Sequence, residues 1–373
     1  MPVSSHKATV LSGPNPKSNL AEFEPFYDRI ALHLERLLHL PNSLSKVLVS
    51  AGLGLTVFML QWLSLGDQIY KNSAWMLAFL IFCAVLFQYY ATATFRNALP
   101  EIKTRLGERN ATSLFNYVSD VLSDRNFAKA GLFFGALNTL MGILFGLPSD
   151  YRGFWPAATS YSGFFVAGFV CGVPVWGIYG VWRVFEAFAK DPTLKLSFTA
   201  HDDRGGMEFV GVALIRFAAV TLTEGVLIAW YILHMRWLRQ QNPYVNVIYV
   251  FWVAWPFILS TFALLAPCLA LHQRLGRAKR EEDDRLQDKI REVESKIDNA
   301  AFEQTEALLK KHEYYKERRA VLDRMRTWPY DYSSSIKYGG IVMVNVLVAI
   351  KNASEHYETF TYLRSLVESV LHS

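Results

Sequence analysis

Six long apolar runs set the limits on what this chain can fold into: residues 47–65, 74–95, 130–147, 158–182, 207–233 and 247–271. A helix that crosses about 30 Å of hydrocarbon needs roughly 20 mostly apolar residues. The run at 130–147 is the shortest. The pattern predicts an all-α fold, a polytopic membrane helix bundle of about six spans. It excludes a soluble enzyme, a disordered chain and a disulfide-rich secreted domain. About 45 polar and amphipathic residues precede the first run, so it does not read as a cleavable signal.

Charge is segregated in the same way. Only 19% of the chain is charged, yet 28 of the 53 residues in 274–326 are Asp, Glu, Lys or Arg. Four regions follow: an arm (1–45), the bundle (46–272), a charged helical segment (273–328) and a C-terminal amphipathic or re-entrant segment (329–373). Lys and Arg favour the cytosolic flanks of spans. The arm carries Lys7, Lys17, Arg29, Arg36 and Lys46, and the second-to-third link carries Arg96, Lys103, Arg105, Arg109, Arg125 and Lys129. The opposite side has only Lys71, Arg152, Arg236 and Arg239. Both termini are therefore expected in the cytosol, in keeping with an even number of spans.

Outside the spans, Phe26, Ile30, Leu34, Leu37 and Leu38 recur at helical spacing opposite Asp28, Arg29, Glu35 and Arg36, which predicts an interfacial helix. In the charged segment Leu286, Ile290, Val293, Ile297 and Ala300 form a heptad seam, followed by a stutter and Leu308, Tyr315, Leu322 and Met325. Two forms fit: one helix of about 75 Å, or a coiled-coil hairpin turning near residues 298–300. The hairpin buries its seam within one subunit. Pro329 ends the segment.

Ionisable groups inside a span are functional candidates because lipid burial is expensive. The fifth run holds two, Arg216 and Glu224, with Thr221 and Thr223 beside them. One reading puts them on a pore, cavity or proton relay. The other lets Arg216 snorkel to the interface and leaves Glu224 to a neighbouring helix. Gln61, Gln88 and Asn138 are the candidate partners. Gly172, Pro174 and Pro256 are candidate helix breaks, against a favoured reading as plain packing residues. The turn His201, Asp202, Asp203, Arg204, Gly205 and Gly206 reads as a tight turn with Asp caps, rather than as a metal site. Cys83, Cys171 and Cys268 lie in apolar runs without metal spacing. No catalytic, cofactor or metal site is expected, and no nucleic-acid binding.

The turn at 201–209, the exit Leu265-Ala266-Pro267 with His272 and Lys279, and Trp328-Pro329-Tyr330-Asp331 occur in that order. In this the C-terminal half resembles a loose group of bacterial membrane proteins with H-P-D-x-x-G-G-L, P-L-x-x-x-H and W-P-F-D motifs. Asp202 and Met207 depart from the group, which has Pro and Leu there. The resemblance implies a bacterial inner membrane, supplies no chemistry, and suggests that the turn docks on Trp328-Pro329-Tyr330-Asp331.

Two functions follow from the sequence. The first is a membrane-anchored scaffold or sensor that engages a cytosolic protein, or a second copy of itself, through 277–326. The alternative is a homo-oligomeric ion channel or permeation pathway lined by the fifth span. A transporter ranks third for want of internal repeats, and an enzyme last.

Overall fold

A computed structural model describes residues 26–71, 75–144, 153–198, 202–234, 243–298, 302–330 and 339–340. The interval 341–373 and His201 lie outside these residues. The described residues form ten helices: α1 (Phe26–Leu38), α2 (Asn42–Leu65), α3 (Gln68–Lys71), α4 (Trp75–Leu106), α5 (Glu108–Val121), α6 (Asp124–Leu144), α7 (Phe154–Lys190), α8 (Glu208–His234), α9 (Pro243–Asp298) and α10 (Phe302–Arg324). Six helical stretches are long and apolar enough to cross a membrane. They are α2, α4, α6, α7, α8 and the first half of α9, apolar on most of their circumference, as a helix between neighbours and lipid must be.

α6 and α7 make the closest approach. Gly131 and Gly135 on α6 face Gly168 and Gly172 on α7. A Cβ on Gly168 would stand 2.5 Å from the Phe134 carbonyl and 2.8 Å from Asn138 Cβ. This is small-residue packing, and the Asn138 amide adds a 2.7 Å bond to the Phe164 carbonyl across the contact.

Gly172, Pro174 and Pro256, weighed in the sequence as breaks or as packing residues, lie inside continuous helices. α7 is helical for 37 residues with Pro174 inside it, and α9 continues through Pro256. The physical reason is plain at Pro174. A proline removes the hydrogen bond to the carbonyl four residues back, here that of Val170. Gln88 on α4 replaces the missing donor, its Nε2 lying 3.0 Å from that carbonyl. Pro256 is accommodated sterically: its ring fills the space left by the absent side chain of Gly225 on α8.

α1 departs from the sequence expectation at Asp28, which is buried rather than on a solvated face. Tyr27, Asp28 and Ala31 are buried against the bundle, while Ile30, Leu37 and Leu38 are exposed. Asp28 can face inward because Lys46 (3.3 Å) and Arg96 (3.2 Å) meet its two carboxylate oxygens. The exposed apolar stripe is the face that suits an interface.

α9 is 56 residues long, which makes it about 84 Å at 1.5 Å per residue. α10 runs back along its charged half: Glu294 meets His312 at 3.0 Å, Asp283 meets Arg319 at 2.8 Å, and Lys279 reaches the end of α10. The seam residues Leu286, Ile290, Val293, Leu322 and Met325 are buried, and Leu286, Leu322 and Met325 join the core around Phe185, Phe188, Leu214 and Leu271.

Gly168→Leu is expected to destabilise the protein by roughly 1–3 kcal/mol or more through overpacking. Gly177→Ala, whose Cβ would meet nothing nearer than 3.8 Å, is expected to be tolerated. Thermal melts of the two variants in detergent, compared with wild type, check this.

Candidate functional site

The sequence motifs after α7 converge on one junction. Asp202 caps α8: its Oδ1 accepts from the backbone N–H groups of Arg204 (3.0 Å) and Gly206 (2.9 Å), and its Oδ2 from Glu208 (3.1 Å). The carboxylate is thereby committed to the helix N-terminus. Asp203, Gly205 and Gly206 all have left-handed φ (49°, 67° and 79°), which the two glycines adopt without steric cost. Arg204 is buried and pairs with Glu208 at 3.2 Å. Among the described residues no group of His, Cys, Asp and Glu side chains could hold a metal ion.

The chain after α10 closes onto this turn. The Asp203 carbonyl accepts from the Arg326 N–H at 2.7 Å. The Pro329 carbonyl sits directly on Gly211, leaving no room for a Cβ there. Trp328 stacks on His272 of α9 with ring centroids 4.5 Å apart. Lys279 donates to the last carbonyls of α10, Asp323 (2.9 Å) and Met325 (2.8 Å), as a C-terminal cap. Asp331 lies outside the described residues. The junction is built from backbone bonds, packing and caps, and it fixes the start of α8.

Along α8 the four intramembrane candidates separate. Arg216 and Thr223 are exposed on the outer face, and the Thr223 hydroxyl bonds its own helix at Ala219. Glu224, 8% exposed, and half-buried Thr221 point inward one turn apart. Two cavities meet at this pair. The larger, about 90 Å³, runs toward the beginning of α8, past Phe217, Val181 and Gln88 to Tyr27 and Asp28. The smaller, about 40 Å³, runs the other way, past Cys171 and Ile228 to Trp255 and Pro256. Thr221, Glu224, Pro174 and Ile178 line both. The stretch of α8 from Phe217 to Ile228 that borders the two covers about 16 Å of its axis, half the hydrocarbon thickness.

No lysine, arginine or histidine is among the described residues that line either cavity. Among the described residues no hydrogen bond or ion pair reaches the Glu224 carboxyl. Of the expected partners, only Gln88 shares its cavity. Asn138 bonds α7, and Gln61 is buried against Gly163. Asp28, at the far end of the larger cavity, is 4% exposed and holds its two cations. Sequence reasoning gave Asp28 to a solvated face. The available signal was Arg96, a charge at the end of a span without a partner nearby in sequence.

Replacing Lys279 by Ala removes both caps at the end of α10, and Gly211→Val displaces the Pro329 carbonyl. Each is expected to destabilise the junction, Lys279→Ala by about 1 kcal/mol per lost bond. Faster tryptic cleavage after Arg326 than in wild type is the readout. No family model, no curated protein and no solved structure matches this chain.

Proposed function

We propose that the chain provides a pathway for protons through a membrane, with Glu224 as the group that takes them up and passes them on. The observation that carries this reading is a buried carboxyl at the wall shared by two cavities in series. An ionised carboxylate buried without a partner costs several kcal/mol. The position therefore calls for a proton or another cation. Both cavities exceed the roughly 10–15 Å³ that one water requires. Water on either side of the carboxyl supplies the relay. The mostly apolar walls argue against a metal ion, which needs about six oxygen ligands.

In this reading both termini lie in the cytosol on the Lys/Arg-rich side, and the membrane is the bacterial inner membrane that the motif resemblance implies. The pathway lies within one chain and needs no second copy, unlike the oligomeric channel the sequence suggested. The scaffold reading moves to second place because the seam of the charged segment is filled by its own two helices. It retains one support: Leu309, Tyr314 and Val321 are exposed on α10.

Proton flux into liposomes under a potassium diffusion potential tests the pathway. Wild type is expected to acidify the lumen, and Glu224→Gln, matched for melting temperature and elution volume, to fall to the rate of empty vesicles. Equal flux through the two proteins would remove the pathway and leave the scaffold.

A further inference from the structure

We infer that the larger cavity binds a small lipophilic ammonium ion in exchange for the proton of Glu224. The inference rests on the proton-carrying reading of Glu224 and adds the chemical class of a second ligand.

Several of the cavity's donors are already committed. Thr221 spends its hydroxyl proton on the Phe217 carbonyl at 2.9 Å. Gln88 spends an amide proton on the Val170 carbonyl at 3.0 Å. Tyr89 spends its own on the Tyr27 carbonyl at 2.9 Å. Two acceptors remain open: the Glu224 carboxylate and Gln88 Oε1, which has no partner. The orientation of the Gln88 amide follows from its bond to Val170, which only the NH2 end can make. A ligand that brings N–H donors can meet both. An anionic ligand would face like charge on the Glu224 carboxylate, with no lysine, arginine or histidine among the described lining residues.

Charge and shape point the same way. The lining is mostly apolar and aromatic, with Phe87, Tyr89, Phe95, Phe127 and Phe217 among its residues. Aromatic faces attract an ammonium, and more strongly where water is scarce. About 90 Å³ admits a short alkyl chain or one small ring. Asp28 lines the same cavity but is already neutralised by Lys46 and Arg96. That leaves Glu224 as the acid free to pair.

The exchange balances in atoms and charge. The ammonium enters with its positive charge, the Glu224 O–H bond breaks, the carboxylate pairs with the ammonium, and the proton leaves to water. The cavity gains one cation and loses one proton. Binding therefore weakens as pH falls, because protons compete for the same carboxylate. The other titratable groups around Glu224 are Cys171 on α7, Cys83 and Tyr89 on α4, and Tyr27 and Asp28 on α1. From the described part of α9 only Trp255, Pro256 and Leu259 line the smaller cavity, and none of them titrates.

The test is calorimetric titration of the full chain in detergent with butylammonium, in two buffers of different ionisation enthalpy, and with 1-butanol as the neutral counterpart. Wild type is expected to bind butylammonium in preference to 1-butanol and to release a single proton per ammonium. Glu224→Gln is expected to bind it at least about tenfold more weakly and to release none. Glu224→Asp, which keeps the charge, is expected to retain proton release, so a fold defect and the loss of the acid are told apart. Equal affinity for butylammonium and 1-butanol, or equal binding by wild type and Glu224→Gln, overturns the inference. Proton flux without ammonium binding overturns it while leaving the pathway intact. Ammonium binding with proton release but no flux leaves the site and removes the pathway.

Discussion

Hydrocarbon offers nothing to a backbone polar group, so every carbonyl at membrane depth has to find its donor inside the protein. At Pro174 the rule can be followed atom by atom. It withdraws the donor for Val170, and Gln88 from α4 supplies another. Leaving such a carbonyl unmet costs on the order of 1–3 kcal/mol. Meeting it from α4 keeps α7 helical across the break and ties the two spans together. The walls of the larger cavity depend on that tie. Phe87, Gln88 and Tyr89 face Val173, Pro174 and Gly177 across it. The same economy appears at Ser260, whose hydroxyl bonds the Ala218 carbonyl at 2.7 Å and holds α9 to α8.

The six spans were legible because mean hydropathy over about 20 residues is a property of contiguous sequence. The seam of the charged segment was legible for a related reason, since a heptad repeats along a single helix. Glu224 stood out because an acid in an apolar run is costly wherever its partners lie. What it faces was not legible. Arg216 and Thr223 carry the same sequence signal as Glu224 and Thr221, yet they lie on the outer face of α8. The difference comes from α1, α4, α7 and α9, which are distant in sequence. The misreading of Asp28 has the same origin. Amphipathic periodicity assigns a charge to the solvated face, and only Lys46 and Arg96 reverse that assignment. What carries α7 through Pro174 was not legible either, because Gln88 lies 86 positions earlier.

Asp28 and its two cations close the larger cavity at the α1 end with charge rather than with packing. Removing one member of such a buried group leaves the other uncompensated, a penalty of several kcal/mol. The smaller cavity is closed differently: Trp255 and Pro256 seal it by fit against Gly225. The two ends of the same line of cavities therefore answer to different variables. Ionic strength acts on the first. Side-chain volume acts on the second.

α9 carries this asymmetry beyond the bundle. It passes Pro256, Pro267 and Gly276 without interruption and ends at Asp298, with the part beyond His272 extending about 39 Å. α10 and its ion pairs brace that part as a second strut brings stiffness to a boom. A tilt of about 10° in α9 at His272 sweeps its tip through about 7 Å at this length. The helix is thus a lever with its short arm, about 24 Å from His272 to Pro256, at the cavities and its long arm among charges, so a displacement at Pro256 is enlarged about 1.6-fold at the far end.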